Sequence, residues 1–141
     1  MKKIKPYLRK VQFYETDQTG IVHHSNHIRW FEEARVDFLE QVGYSYQKAS
    51  ESGVHVVATG LSCAYKGMAR FGDTVKVVLE ILLLSSFRIT VGYKIFNGEQ
   101  LCAEGETGHC FYDTRNNKLV SLKKELPELY EILASFQKEA E

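Results

Sequence analysis

The apolar side chains of the sequence follow two different periods, one before and one after residue 54. Between residues 25 and 42 they recur every three or four positions, at Ile28, Phe31, Ala34, Phe38, Leu39 and Val42. That spacing places them on one face of an α-helix. Gly43 is suited to the left-handed backbone that ends many helices. The pattern therefore predicts one long amphipathic helix over about residues 25–42.

Beyond residue 54 the apolar positions alternate with polar ones, which is typical of β-strands. Strands are predicted over residues 55–65, 74–84, 87–95 and about 99–112, with a further strand before the helix at residues 7–14. Asn97-Gly98 predicts a tight hairpin turn, and residues 113–118 predict another turn. Short helices are predicted at residues 44–52 and from Pro127 onward.

The alternation assigns the apolar strand residues to one face of each strand. These residues are Val11, Phe13, Val57, Leu61, Cys63, Tyr65, Val75, Val77, Leu79, Ile81, Leu83, Phe87, Ile89, Val91, Tyr93 and Ile95. A sheet with one apolar face needs a covering layer, and only the helix at residues 25–42 is long enough to supply it. The sequence therefore indicates an α+β fold in which a curved antiparallel sheet wraps around a long central helix. Since no repeat or linker divides the chain, we expect a single domain over residues 1–141.

The composition is that of an ordinary globular protein, with 44% hydrophobic and 26% charged residues. The formal net charge is zero, which indicates no general attraction to nucleic acid or to an acidic membrane surface. Three cysteines without a C-x-x-C pair indicate free thiols in a reducing compartment. Neither a signal peptide nor a membrane-spanning apolar run is recognised, so we expect a cytoplasmic protein without integral membrane association.

Polar and titratable side chains are concentrated between the first strand and the long helix. They are Thr16, Asp17, His23, His24, Asn26 and His27, with a turn at Gly20. The helix N-terminus beside them offers unpaired N–H groups and the positive end of the helix dipole. A carboxylate, several imidazoles and free amide donors are together the components of an acyl-transfer site.

The segment Glu15–His27, of sequence ETDQTGIVHHSNH, resembles the signature of the hotdog-fold thioesterases. More narrowly, it is similar to the group of the 4-hydroxybenzoyl-CoA thioesterase and the Tol–Pal-associated acyl-CoA thioesterase. The shared pattern is an Asp, a Gly three residues later and a His-small-Asn sequence at a helix start. The later segment Tyr65–Asp73, of sequence YKGMARFGD, resembles the same family.

This resemblance implies a hotdog fold that pairs into homodimers or homotetramers, with active sites at the subunit interface. The implied reaction is hydrolysis of an acyl-CoA thioester to the free acid and CoA, without a metal or an organic cofactor. By position, Asp17 is the catalytic carboxylate, and the backbone N–H at His24 faces the thioester carbonyl. The rest of the substrate site would be formed by Thr16, Gly20, His23, Asn26 and His27. Many family members have tyrosine where this chain has Phe13, His23 and His27, so no role of those tyrosines is transferred.

The same residues also have structural interpretations. Asp17 suits an Asx turn, and Asn26 suits a helix cap. The imidazole of His24 is equally suited to a hydrogen bond at an interface. His23 and His27 are four residues apart, as in some zinc sites, although the Glu of the H-E-x-x-H motif is absent. Spacing also leaves open whether Asp17 activates a water molecule or attacks the thioester itself.

Other functions compete with acyl-CoA hydrolysis. A thioesterase for acyl carrier protein or for aromatic CoA esters would have the same fold. A non-catalytic acyl-CoA-binding protein would bind the ligand without releasing thiol, and a small metalloenzyme would use the histidines. Candidates for binding the phosphates of CoA, or else exposed charges of the sheet, are Lys66, Arg70, Lys76 and Arg88.

Overall fold

The structure of the protein is a computed structural model that describes residues 3–137. In chain order its elements are β1 (Tyr7–Lys10), α1 (Ser25–Gln41), α2 (Tyr46–Glu51), β2 (Val54–Tyr65), β3 (Thr74–Leu84), β4 (Arg88–Asn97), β5 (Gln100–Asp113), β6 (Lys118–Leu119), α3 (Leu122–Glu125) and α4 (Pro127–Ser135). A 3₁₀ turn, Phe13–Glu15, lies between β1 and α1. The long helix, the short helix that follows it, the four long strands and the terminal helix are thus confirmed.

The strands form one antiparallel sheet with the order β1-β3-β4-β5-β2, and β6 pairs with β5. The predicted hairpin turn joins β4 to β5, with a φ of +62° at Gly98. The strand register shifts after Ala58, after Ile81 and after Ile95. Such bulges bend a strand and increase its local twist, so they help the sheet to curl around α1.

Helix α1 supplies the largest buried side chains of the core. Trp30 and Phe31 are fully buried, and Ala34 and Phe38 are nearly so. They belong to one apolar cluster with residues of the sheet, including Val75, Val77, Leu79, Ile81, Ile89, Val91, Tyr93, Ile95 and Phe111. Burial of each large apolar side chain contributes about 1.5–3 kcal/mol. The α+β arrangement of a curved antiparallel sheet around a central helix is therefore confirmed.

The first strand is shorter than predicted. β1 ends at Lys10, and Phe13 is 74% exposed instead of lying beside the buried Val11. The cause is the carboxylate of Glu15, which accepts a hydrogen bond from the Gln12 amide at 2.8 Å. This capping box closes the 3₁₀ turn and diverts the backbone before the alternation reaches Phe13.

Strand β2 departs from the prediction in the exposure of its apolar side chains. Val57, Leu61 and Tyr65 are 41%, 54% and 46% exposed. The strand is the last in the sheet order and pairs along one side only, with β5. Its other edge has no strand partner among the described residues, so this end of the sheet stays open.

Two further residues of the predicted apolar face, Leu83 and Phe87, are also exposed. The register shift between Ile81 and Leu83 changes the face on which the following side chains point. Phe87 lies in the bend that precedes β4, where strand alternation does not yet apply.

The C-terminal helices complete the core. Pro127 stands in the first turn of α4, as predicted, and Leu129 and Leu133 are buried. The ring of Phe136 meets Phe38 of α1 edge-on at a centroid distance of 5.2 Å. None of the helices within residues 3–137 is long and apolar enough to cross a membrane.

Candidate active site

Asp17 lies in a small hairpin that connects the 3₁₀ turn to α1. Thr16 pairs with Val22 as an antiparallel bridge, and the Asp17 amide donates to the Ile21 carbonyl at 2.8 Å. The Gly20 amide donates to the Asp17 carbonyl at 3.0 Å. Gly20 has a φ of +82°, a conformation that glycine adopts at little steric cost. The hairpin therefore holds the backbone of Asp17 in one conformation.

The carboxylate of Asp17 is exposed and is oriented by its own turn. Its Oδ1 accepts hydrogen bonds from the Thr19 hydroxyl and from the Thr19 amide, the latter at 2.8 Å. These bonds, with a smaller contribution from the charge of His23, hold the pKa of Asp17 below its usual value of 3.8. Asp17 is therefore ionised at neutral pH. The bonds also form the Asx turn that a purely structural aspartate would make.

His23 accepts hydrogen bonds from two backbone N–H groups at the start of α1. Its Nδ1 accepts a hydrogen bond from the Ser25 amide at 3.2 Å, and its carbonyl accepts one from the Asn26 amide at 3.0 Å. His24 occupies the N-cap position, but its side chain makes no capping hydrogen bond. The backbone N–H of His24 donates to no group within residues 3–137. It is thus an available donor at the positive end of the helix dipole.

Tyr65 connects the end of β2 with this helix start. Its hydroxyl donates to the His24 carbonyl at 2.7 Å. Burial, together with a hydrogen bond to Cys63, raises the pKa of Tyr65 to about 12, so the phenol stays protonated at neutral pH. The imidazoles of His23 and His24 stack with centroids 4.1 Å apart, and both residues are exposed. Tyr65 belongs to the second family motif of the sequence, but its contact with the helix start is visible only in the folded protein.

Thr16 and Asn26 use their polar side chains within the protein. The Thr16 hydroxyl donates to the Phe13 carbonyl at 2.8 Å. The side chain of Asn26, a residue only 9% exposed, donates through Nδ2 to the Glu15 carbonyl at 2.8 Å. The first bond fastens the hairpin to the 3₁₀ turn, and the second fastens α1 to the same turn. The second is the kind of scaffold contact that the sequence leaves open for Asn26.

His27 lies in the first turn of α1 and is 4% exposed. Its ring packs against Trp30 and Tyr65 with centroid distances of 5.3 and 4.9 Å. Burial lowers the pKa of His27, so the neutral imidazole is favoured. His27 therefore forms part of the layer beneath the exposed pair His23 and His24.

The hairpin is anchored by a buried carboxylate, Glu15, to which the sequence assigns no role. It is 2% exposed, and Arg9 of β1 binds its two oxygens at 2.8 and 3.0 Å. Trp30 of α1 donates through Nε1 to Oε2 at 2.9 Å, and the Gln12 amide adds a bond to Oε1. A buried charge requires such pairing and hydrogen bonding. The available sequence signal was weak, a Glu three residues after a polar residue.

The histidines of this region are not gathered around a common point. His23 and His24 are exposed, whereas His27 is buried. Among residues 3–137, no group of three or more His, Cys, Asp or Glu side chains is placed to hold a metal ion.

Arg70 is brought beside the Asp17 hairpin. It forms an antiparallel bridge with Ile21, and a Cβ added at Gly20 would lie 3.6 Å from its Nη1. The other cations considered for CoA phosphates have different neighbours. Lys66 lies 3.6 Å from a Glu104 carboxylate oxygen, and the ammonium of Lys76 lies 5.5 Å from the centre of the Phe96 ring.

The chain matches the family model of the thioesterase-like superfamily over residues 11–132. It is 26% identical over 90 residues to the acyl-CoA thioester hydrolase YbgC of Escherichia coli O6:H1, covering 64% of this chain and 67% of that protein. A crystal structure of a hypothetical protein from Aquifex aeolicus is 42% identical, with a TM-score of 0.83 and coverage of 89% and 98% of the two chains. The DHNA-CoA thioesterase of Staphylococcus aureus is 27% identical, with a TM-score of 0.88 and coverage of 93% and 89%. Since the family match extends over most of its length, the chain belongs to the thioesterase-like superfamily.

Proposed function

We propose that this protein hydrolyses an acyl-CoA thioester to the free acid and CoA, with Asp17 as the reacting carboxylate. The proposal depends on one observation: the exposed carboxylate of Asp17 lies in the hairpin that leads into a helix start whose His24 N–H is available. Thioester hydrolysis needs a base or nucleophile beside the carbonyl carbon and a donor directed at the developing oxyanion. The relatives named as acyl-CoA and DHNA-CoA hydrolases support this choice of reaction.

In the proposed mechanism the His24 N–H polarises the thioester carbonyl. Asp17 either takes a proton from the water that attacks the carbonyl carbon, or attacks that carbon itself to form a mixed anhydride that water opens. In both routes the carbon–sulfur bond breaks and CoA leaves as a thiolate. The lowered pKa of Asp17 keeps it in the charged form that both routes require. We assign to the His24 imidazole the orientation of water or the protonation of the thiolate.

The proposed substrate site has an exposed part and a supporting part. Gly20 and His23 would contact the substrate from the hairpin, while Thr16, Asn26 and His27 would act through the scaffold beneath. Arg70 is our candidate for binding a phosphate of CoA, because this residue is exposed and its guanidinium lies beside Gly20.

We further propose that the protein acts as a homodimer or homotetramer whose subunits meet along β2. This strand has 12 residues, and its outer edge has no strand partner within residues 3–137. Val56, Val57 and Leu61 are exposed there, and a long apolar edge readily pairs with another strand. Analytical ultracentrifugation tests this directly. We expect the wild type to sediment as a dimer or tetramer and Leu61→Lys to dissociate, whereas a monomeric wild type would contradict the proposal.

We expect the protein to work in the cytoplasm. The three cysteines, Cys63, Cys102 and Cys110, are free thiols, as a reducing compartment requires.

An aromatic CoA ester is the second candidate substrate. The observation that favours it is the 27% identity and the TM-score of 0.88 with the DHNA-CoA thioesterase. We propose that the protein's nearest functional relatives are in the group of the 4-hydroxybenzoyl-CoA thioesterase and the Tol–Pal-associated acyl-CoA thioesterase. Thioesters of acyl carrier protein are the remaining alternative on the same fold.

Thiol release from a panel of thioesters tests the proposed function. The panel contains short, long and aromatic acyl-CoA esters and one acyl-carrier-protein thioester, with Asp17→Asn measured beside the wild type. Asparagine retains an oxygen that can accept the Thr19 bonds but removes the base and nucleophile. We expect a fall in rate on the order of 10²–10⁴, the usual cost of losing a catalytic base. A wild type that binds acyl-CoA but releases no thiol would show a binding protein instead.

A further inference from the structure

The last residue of β2, Tyr65, reaches the start of α1 with its side chain. Its hydroxyl donates to the His24 carbonyl at 2.7 Å, a contact between residues 41 positions apart in the chain. In the proposed mechanism the backbone N–H of His24 polarises the thioester carbonyl. The bond from Tyr65 therefore joins the edge of the sheet to a backbone unit whose direction matters for the reaction.

The peptide group before His24 is held by bonds within its own segment. It carries the His23 carbonyl and the His24 N–H, and its carbonyl accepts from the Asn26 amide at 3.0 Å. The carbonyl and the N–H of a planar trans peptide point in opposite directions. Because the bond from Asn26 holds the carbonyl, the N–H points away from the helix and has no partner within residues 3–137.

The peptide group after His24 is where Tyr65 acts. Its carbonyl accepts from the Tyr65 hydroxyl, and its N–H, that of Ser25, donates to Nδ1 of His23 at 3.2 Å. The second bond is at the long end of the normal range and comes from an exposed neighbouring side chain. The carbonyl oxygen has a lone pair for Tyr65 besides the one that the first bond of a helix uses. Tyr65 is thus the shorter and more distant of the two holds.

The start of a helix needs such a hold from outside. Its first N–H groups have no partner within the helix, and helix ends fray. The side chain of His24 makes no capping hydrogen bond of its own. The groups that hold the neighbouring peptides therefore determine how far the His24 N–H can swing.

Tyr65 is itself firmly mounted. Strand β2 is paired with β5 up to this residue, and the amides of Lys66 and Gly67 then both donate to the Cys102 carbonyl, at 2.8 and 3.1 Å. The Tyr65 ring meets the ring of the buried His27 nearly edge-on, with centroids 4.9 Å apart. The hydroxyl is therefore held by the sheet on one side and by the first turn of α1 on the other.

Two observations separate Tyr65 from the reacting groups. Its proton is directed at the His24 carbonyl, so it is not offered to a substrate oxygen. Burial and a hydrogen bond to Cys63 raise its pKa to about 12, so the phenol is neutral at physiological pH and does not act as a base.

We propose that Tyr65 is a positioning residue for thioester hydrolysis, whose hydroxyl holds the His24 peptide so that its N–H keeps its direction toward the thioester carbonyl. The inference rests on the proposed function and adds no group to the bond-breaking step. A donor stabilises the developing oxyanion from about 2.7–3.1 Å, and a displacement of about 1 Å can cost on the order of 10² in rate. A loosened helix start would therefore lower turnover although the donor is still present.

Tyr65→Phe tests the proposal, because it removes the hydroxyl and leaves the ring beside His27. Tyr112→Phe is the matched control, since the Tyr112 hydroxyl also donates to an oxygen, Oδ1 of Asn117, in the turn after β5. Neither tyrosine is buried. We expect both variants to fold and to melt close to wild type.

The mobility of the His24 N–H, measured by ¹⁵N relaxation, needs no substrate. In wild type we expect an order parameter of about 0.85, typical of rigid backbone, and in Tyr65→Phe a fall toward about 0.6. Tyr112→Phe should match wild type. An unchanged order parameter in Tyr65→Phe would overturn the proposal.

Thiol release from an ester that wild type hydrolyses then tests the connection with the reaction. We expect kcat of Tyr65→Phe to fall on the order of 10-fold to 100-fold while KM stays close to wild type. Tyr112→Phe should keep the wild-type kcat. A purely structural Tyr65 would lower the melting temperature but leave kcat per folded molecule unchanged, and that result would overturn the proposal. A rise in KM alone would overturn it as well, because Tyr65 would then contact the substrate.

The two measurements distinguish failure of this inference from failure of the proposed function. If wild type hydrolyses no ester but the order parameter of His24 depends on Tyr65, the proposed function fails and Tyr65 still holds the helix start. If wild type hydrolyses esters and Tyr65→Phe matches it in both measurements, the function stands and the positioning proposal fails. A lower kcat with an unchanged order parameter also contradicts it, since Tyr65 would then act on the substrate directly.

Discussion

Two carboxylates only two residues apart, Glu15 and Asp17, occupy opposite environments. Glu15 is 2% exposed and is bound by Arg9, Trp30 and the Gln12 amide. Asp17 is exposed, and its hydrogen bonds come from Thr19 in its own turn. The difference teaches that one short motif separates two tasks. The buried carboxylate holds three elements together, whereas the exposed one keeps lone pairs accessible to a substrate.

Four of the five histidines divide in the same way. His27 and His109 are buried, and burial lowers the pKa of both. His23 and His24 are exposed and stack on each other at the start of α1. Removing a buried member should therefore cost stability, and removing an exposed member should cost activity.

The largest expected loss of stability follows from Glu15→Gln. This change leaves the guanidinium of Arg9 facing a neutral amide in a largely buried site. Breaking a buried ion pair costs about 3–5 kcal/mol of unfolding free energy, and because Arg9 keeps its ion pair with Glu33 at 2.9 Å we expect a loss of about 3 kcal/mol. Urea denaturation followed by circular dichroism measures the effect, with Asp17→Asn as the matched control that should unfold close to wild type. A Glu15→Gln protein as stable as wild type would show that the Glu15 network does not anchor the hairpin.

The next largest effect is that His109 makes the free energy of unfolding depend on pH. Its folded pKa of about 4 lies below the ordinary value of 6.5, so the unfolded chain binds the proton more readily. The stabilisation is therefore complete above about pH 6.5 and is lost as the pH falls toward about 4, by up to about 3 kcal/mol. His27 acts in the same direction. Unfolding free energies across this range should fall less steeply in His109→Gln, and an identical slope would contradict the assignment.

Trp30→Phe removes one bond of the Glu15 network together with part of a fully buried ring. It keeps an aromatic ring in the core but removes the Nε1 donor that lies 2.9 Å from Glu15. Losing a hydrogen bond to a charged group costs about 1.5–3 kcal/mol. Since the chain has one tryptophan, circular dichroism replaces fluorescence as the probe. If stability does not fall measurably, the donors of Arg9 and Gln12 are sufficient for the buried Glu15 carboxylate, and the Trp30 N–H is not needed.

The smallest stability effect is expected from Gly20→Ala in the Asp17 hairpin. The added Cβ has room, 3.6 Å from the nearest Arg70 atom, so the cost of about 1–2 kcal/mol comes from the positive φ. Gly43→Ala at the end of α1 is the matched control, with a φ of +75° and nothing within 4 Å. We expect both variants to lose similar stability and only Gly20→Ala to lose thiol release per folded molecule. Equal rates would show that the hairpin does not orient Asp17.

The elements that could be predicted from the sequence are those with a strong local period. The apolar spacing of Phe31, Ala34 and Phe38 indicates α1 directly, because every residue of the pattern lies on one helix. The exposure of Val57 and Leu61 could not be predicted in this way. It depends on β2 standing at the sheet edge, which is a property of the whole topology.

The candidate site was predictable to a similar extent. Asp17 and His24 lie within one continuous motif, so the sequence alone places them before and at the start of the helix. Glu15, Arg9 and Trp30 come from three different elements, and their pairing has no periodic signature. For the same reason the sequence did not indicate the chain of hydrogen bonds that ends at His109, since Arg35, Tyr93, Thr107 and His109 meet only in the folded protein.

The division of tasks between Glu15 and Asp17 is tested most directly by the rate of thiol release of Asp17→Asn, measured together with its melting temperature. We predict a rate lower than wild type on the order of 10²–10⁴ with a melting temperature close to that of wild type. An Asp17→Asn protein as active as wild type would contradict this division, because Asp17 would then be a turn residue and the reacting group would lie elsewhere.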